Sequence, residues 1–461
     1  SVGCSLGIVS NLFVKGVASA TSLRKTLFSD SILSSFSPVI SLLIAAIIII
    51  LIRKIFNIKR WHGPPDAILA AHQSNNSIDV KRGLGSTLTA FVSASGGASV
   101  GQYGPLVHFG ATVATFLENF TSKRLPPGIF IGCGVAAAIS AGFNAPIAGL
   151  VFAHEAVLRH FSLRAGGAIA ISSITASTIG SGVFKETLGL KIISDAPPLI
   201  EIVPIVLICS PVFGALAIFF MFSIRLGGKT SKATRMSQSY QILFAALICG
   251  SIGLFVPEIL GLGTNEMNNI FANQYEIIFL FIILIGKVFM TSLCIGFGFF
   301  GGIFAPALYV GAAGGGFIAN SLIVLGFSLS LPALALAGTA AVGAVAIGAP
   351  IATTLIILEF TGSYEFAVAA MIAVQVSTFM AHRLYGDSLF DMALNDRGFK
   401  IGLGRQHIQM NDIPLSKILS SEALTFNENL KIKDVNLQML KKEVTEAVVI
   451  NSDNIYIGKI S

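Results

Sequence analysis

The chain has 461 residues, of which 54% are hydrophobic and only 11% charged, with a mean hydropathy of +0.80. Soluble globular domains carry about 25% charged residues, so this composition excludes an ordinary water-soluble fold and describes a polytopic membrane protein. The net charge of +7 does not redirect the reading to nucleic acid, because the cations are scattered through short segments flanking apolar runs, as in loops on the cytoplasmic side of a membrane.

The chain starts at Ser1 without Met and is amphipathic from the outset. A trimmed N-terminus is expected, and no stretch has the layout of a cleavable signal peptide. A first apolar run over 38–52 ends at Arg53, Lys54, Lys59 and Arg60, and is followed by the turn-rich block WHGPPD at 61–66. GQYGP at 101–105 then interrupts an apolar stretch, and its Gly and Pro make one continuous helix there unfavourable. Further runs lie at 202–222, 241–256 and 277–286, with Arg225, Lys229, Lys232 and Arg235 between the first two. Lys287 closes the last run. An ammonium is costly in lipid, so it is expected to face a water-filled vestibule or to snorkel. Cys4, Cys133, Cys209, Cys249 and Cys294 lie mostly inside apolar runs at no metal-ligand spacing and read as buried small hydrophobes.

Three of these blocks recur. Gly101-Gln-Tyr-Gly-Pro105, with Gly110 and Ala111, matches Gly302-Ile-Phe-Ala-Pro306, with Gly311 and Ala312, at an offset of 201. Asn144-Ala-Pro146 and Glu155 match Gly348-Ala-Pro350 and Glu359 at an offset of 204. Trp61-His-Gly63-Pro-Pro-Asp66 matches Gly261-Leu-Gly263-Thr-Asn-Glu266 at an offset of 200. Three blocks in one order at nearly constant offset indicate duplication. Duplicated membrane proteins commonly place a substrate site between their halves and build it from broken helices. Irregular backbone survives at membrane depth only where protein or a water-filled cavity satisfies it. Helix N-termini offer unpaired N–H groups and partial positive charge to an anion, and glycine lets the backbone come close. The 101–105 and 302–306 blocks are read in this way. Gly311, Gly314, Gly315 and Gly316 are read as helix-packing glycines.

GGIFAP (301–306), GQYGP (101–105), FNAPIAGLVFAHE (143–155) and APIATTLIILEFTGSYEF (349–366) resemble the CLC family of chloride channels and chloride/proton antiporters over nearly all of 1–398. The resemblance implies an all-α polytopic fold of tilted, broken helices in two inverted repeats, 1–200 and 201–398. It also implies a homodimer with one anion path per subunit, set in lipid in a bacterial inner membrane with cytoplasmic termini. No cofactor is expected beyond a bound anion, such as chloride. The anion-binding set it implies is His62, Gly63, Gly101, Gln102, Tyr103, Gly104, Gly302, Ile303, Phe304, Ala305 and Phe390.

This chain departs from the family pattern at the positions that carry function. His62 stands where a coordinating serine is usual, Tyr103 where the gating and proton-accepting glutamate is usual, and Gln102 where a basic residue is usual. Ala156 takes the place of the internal proton glutamate, and Phe390 that of a late coordinating tyrosine. Only Gly302-Ile303-Phe304-Ala305-Pro306 is intact. A tyrosine with an ordinary pKa of about 10 stays neutral, so Tyr103 can obstruct the path or donate a hydrogen bond but cannot carry protons. Passive or proton-uncoupled anion movement is therefore expected, with Tyr103 as the gate. Two alternatives stay open: an antiporter with a proton path rerouted through His62 and His154, and a non-conducting regulatory membrane protein; His154 and Glu155 are the candidate proton relay. His62 and His154 are also readable as hydrogen-bonded packing residues, and His108 is read as one. Glu155 and Glu359 are functional candidates as intramembrane carboxylates, or else structural ion-pair or helix-cap residues.

No enzyme signature survives inspection. RLGGKTSK (225–232) resembles the end of a phosphate-binding loop, but the required first glycine falls on Ser223. After about 398 the composition turns polar. Over 405–461, a turn, a helix at 429–442 and two strands around a Ser-Asp-Asn turn resemble the opening part of a CBS domain. The module is incomplete, so nucleotide binding is not expected of it.

Overall fold

The computed structural model describes residues 2–27, 36–73, 78–118, 120, 126–184, 196–399, 424–442 and 444–460. It divides into two compact units, Ser1–Arg405 and Gln406–Ser461. Among the described residues the regular elements of the larger unit are helices. Its first half contains α1 (Val2–Leu27), α2 (Ser37–Ile55), α3 (Pro64–His72), α4 (Val80–Gly96), α5 (Tyr103–Glu118), α6 (Pro127–Phe143), α7 (Pro146–Phe152) and α8 (Leu163–Phe184). The second half contains α9 (Leu199–Ala233), α10 (Gln238–Gly253), α11 (Thr264–Phe271), α12 (Ile277–Gly296), α13 (Phe304–Val324), α14 (Leu331–Ile347), α15 (Pro350–Thr361), α16 (Tyr364–Leu384) and α17 (Leu389–Asn395). Among the described residues seven helical segments are long and apolar enough to cross a membrane; α5, α6, α14 and α15 are too short to qualify.

The repeat blocks mark helix boundaries for physical reasons. In both Asn144-Ala-Pro146 and Gly348-Ala-Pro350, the first residue ends a helix in the left-handed conformation (φ +53° and +73°) and the proline opens the next helix. Proline is tolerated there because its missing N–H belongs to a position without an intrahelical partner. Gly63 and Gly263 likewise stand at the N-caps of α3 and α11. The small residues make the halves pack alike. A Cβ on Gly110 of α5 would collide with the backbone of Gly134 on α6, and one on Gly311 of α13 with that of Gly338 on α14. Such backbone-to-backbone contact is how helices associate without a hydrophobic driving force between them.

Two expectations fail here. Lys287 neither snorkels nor faces a vestibule. It is fully buried on α12, where its ammonium donates to Ile259 O (3.2 Å) and Gly261 O (2.8 Å) and lies 4.7 Å from the centre of the Tyr309 ring. Carbonyls freed by the short 3-10 turn Pro257–Ile259 and the following bend replace water around the charge. Cys4 is exposed, unlike the other four cysteines.

The smaller unit contains β1 (Thr425–Asn427), α18 (Ile432–Lys441), β2 (Ala447–Ile450) and β3 (Tyr456–Ile460). β2 lies between β1, which is parallel to it, and β3, which is antiparallel. Phe426, Val435, Met439 and Ala447 form its core. The expected helix starts three residues late, at Ile432, and strand β1 was not anticipated. Residues 401–423, which include the start of the expected module, lie outside the described residues.

Candidate functional site

The 101–105 and 302–306 blocks meet at the centre of the larger unit. Gly101 N–H donates to Gly302 O at 2.6 Å and Gly302 N–H to Gly101 O at 2.5 Å, an isolated antiparallel bridge joining the two halves. Gly302 and Gly104 leave no room for a side chain: a Cβ on Gly302 would stand 2.7 Å from Gly104 N, and one on Gly104 would stand 2.9 Å from Gly302 Cα. Just beyond the bridge, α5 and α13 begin. Their first backbone bonds run from Leu106 N to Gln102 O (3.2 Å) and from Ala307 N to Ile303 O (3.0 Å). The N–H groups of Gln102, Tyr103 and Gly104, and of Ile303, Phe304 and Ala305, precede those bonds, at the positive ends of two helices. The arrangement suits an anion.

α3 contributes differently from the expectation. The amides of His62 and Gly63 are already engaged: His62 N–H donates to Ser86 Oγ (3.1 Å) and Gly63 N–H to Asp66 Oδ2 (2.9 Å). The next two residues, Pro64 and Pro65, have no N–H. Asp66 also accepts from Arg60 Nη2 (2.8 Å) and Arg397 Nη1 (3.0 Å). Burial alone would raise its pKa, but Arg397, Arg60 and the Gly63 amide outweigh this and hold the carboxyl below its ordinary range.

A cavity of about 410 Å³ brings together five expected site residues: Gly63, Gly104, Gly302, Ile303 and Phe390. Trp61, Phe299, Phe300, Arg225 and Arg397 line it too. Tyr103, Phe304, Gly101, Gln102, Ala305 and His62 are not in its wall. Instead, Tyr103 stacks on Phe143 (ring centres 3.6 Å apart, planes at 25°), and Phe143 also meets Phe304 (5.6 Å) and Phe360 (5.7 Å). Gln102 is buried, and among the described residues its Oε1 has no hydrogen-bond partner. Phe143, Phe360, Arg225 and Arg397 were not picked out as site residues from sequence. Phe143 and Phe360 directly adjoin the repeated Asn/Gly-Ala-Pro and Glu positions, and that adjacency was the available signal.

The remaining candidates have their own partners. Glu155 accepts from Ile351 N (2.9 Å) and Ala352 N (2.7 Å) at the start of α15. Glu359 accepts from Ile147 N (2.9 Å) and Ala148 N (2.8 Å) at the start of α7. Each carboxylate caps the opposite half's helix, so the two contacts are reciprocal. Glu155 and His154 lie on a π-helical turn, Ala153–Leu158, that continues α7. His154 Nδ1 is 3.0 Å from His160 O, and its ring stacks on Phe161. The ring beside His62 is that of His108, with centres 5.9 Å apart.

Together these features describe a duplicated membrane protein whose halves bring broken helices to a shared centre. The profile described as "Voltage gated chloride channel" matches residues 44–382, and the chain belongs to that family. The voltage-gated ClC-type chloride channel ClcB of Escherichia coli (strain SMS-3-5 / SECEC) is 26% identical over 344 residues, covering 73% of this chain and 81% of that protein. Among solved structures, a slow cyanobacterial Cl⁻/H⁺ antiporter superposes with a TM-score of 0.76 at 21% identity, over 86% of this chain and 96% of that one. A CLC-type fluoride/proton antiporter gives 0.70 at 23% identity, over 83% and 93%.

Proposed function

We propose that the chain moves chloride or a similarly small anion across a membrane, past the opposed N-termini of α5 and α13, without obligatory proton exchange. The observation that carries this reading is the Gly101–Gly302 bridge, which sets two helix starts against each other beside a cavity. Proton independence rests on Tyr103 and Ala156, neither of which can accept a proton at ordinary pH, and on Glu155, whose two oxygens are committed to the N-terminus of α15. Arg225 and Arg397 of the cavity wall are each paired with a carboxylate, Asp396 and Asp66, so the attraction for an anion rests on the helix starts. A homodimer and a bacterial inner-membrane location belong to the same proposal. So does the reading of the C-terminal unit as CBS-like.

The test is purified protein in liposomes loaded with chloride, with external chloride and proton fluxes recorded together. Chloride efflux under a potassium–valinomycin shunt, with no accompanying proton movement, is the expected result. Proton uptake in fixed ratio to chloride release would replace uncoupled movement with antiport, and no efflux would leave the regulatory alternative.

A further inference from the structure

His62 and His108 come from different elements and meet beside the N-terminus of α3. His62 is half-buried in the loop before α3, while His108, on α5, is 1% exposed. Their ring planes are inclined at 61°. Thr112 Oγ1 donates to the carbonyl of His108 (2.8 Å) and lies 3.5 Å from Nδ1. On the other side of the ring, Nε2 is buried and among the described residues has no hydrogen-bond partner. A buried polar nitrogen without a partner costs free energy, and such groups in native structures call for an explanation. Gly83 of α4 leaves room for the ring, since a Cβ there would stand 3.0 Å from its Cε1.

The surroundings account for what a proton would do there. The charged groups nearest His62 are Asp66 and Arg60 beside it and Asp79 and Arg82 from α4; those nearest His108 are Asp66, His62 and Arg60. Both carboxylates are already matched, Asp66 by Arg60 and Arg397 and Asp79 by Arg82. An added proton would thus be an uncompensated positive charge next to Gly63, a residue of the cavity wall. A mobile anion is the partner that such a charge lacks.

We propose that His62 and His108 hold one proton between them, and that its binding and the anion's occupancy of the neighbouring site favour each other. The proton comes from water through half-buried His62 and is shared with Nε2 of His108 through one bridging water. No bond other than N–H changes, and the charge gained is balanced by the anion. This inference rests on the anion-transport reading and gives that site an acid dependence that does not use the missing glutamates.

The experiment measures chloride efflux from proteoliposomes held at symmetric pH 7.5 and pH 4.5. Wild type is compared with His62→Gln, His108→Gln and the double variant, and the readout is the ratio of rates at the two pH values within each protein. Wild type is expected to be several-fold faster at pH 4.5. Each single variant should lose most of that ratio, and the double no more than either single, since one proton is shared. A wild type that conducts equally at both pH values overturns the inference and leaves the transport reading standing. Retention of the wild-type ratio in His62→Gln also overturns it, and that half-buried position decides the matter even if His108→Gln fails to fold. Absence of efflux from wild type at both pH values removes the transport reading and this inference together.

Discussion

Tyr103 is held by packing. Its ring lies over Phe143 at 3.6 Å, and a Cβ on Gly142 would reach 3.2 Å from its Cδ1, so α5 and α6 close on it from one side. Phe143 in turn touches Phe304 and Phe360, which gathers four rings from both halves behind the helix starts. If this cluster limits passage, Tyr103→Ala should raise chloride efflux several-fold and lower the thermal midpoint in detergent through lost stacking and dispersion contacts. Tyr103→Phe should change neither by much, because the ring provides the obstruction. Equal efflux from all three proteins would place the constriction elsewhere. The neutral side chain at 103 was legible in the sequence; its neighbour was not. Stacking pairs residues forty positions apart, and no motif spacing records such a contact.

At the scale of elements, α3 shows how an N-terminus can be closed to ligands. Two prolines remove donors, and Asp66 takes the Gly63 amide while gathering Arg60 and Arg397. Because the folded carboxyl titrates below its ordinary value of 3.8, its contribution to stability is complete above that value and is lost as pH falls through the lowered one. Thermal unfolding from pH 7 to pH 3 should therefore show a wild-type decline at the acid end. Asp66→Asn should flatten it and be less stable at pH 7. An unchanged acid slope in the variant would assign the decline to other carboxylates. Helix boundaries at Asn144 and Gly348 could be read from sequence because left-handed caps and following prolines are local chemistry. The environment of Lys287 could not, because the carbonyls that hold it belong to a turn twenty-six residues or more upstream.

For the whole larger unit, the decisive contacts run between halves. Glu155 caps α15 and Glu359 caps α7, each with two bonds to a charged acceptor, and such bonds are worth about 1.5–3 kcal/mol apiece. Glu155→Gln and Glu359→Gln should each lower the thermal midpoint. The double variant should lose less than the two losses combined, because α7 and α15 part as one contact. Full additivity would show the caps to act independently. The duplication itself was plain at offsets of 201 and 204, since Gly and Pro are kept where backbone geometry demands them. Helix-cap and proton-relay readings of Glu155 are alike in sequence, and the cap shows only once the opposite half is in place.

The crossed caps also set a timetable for biogenesis. Glu155 is separated from Ile351 by 196 residues, and at roughly 5–20 residues per second a ribosome needs on the order of 10–40 s to cover that distance. Throughout that interval the carboxylate has left the ribosome without the amides that will hold it, as have the amides of α7 that await Glu359. A nascent chain stalled between the halves would therefore hold an unmatched charge and an open helix end, the kind of lesion by which membrane quality control recognises an unfinished product.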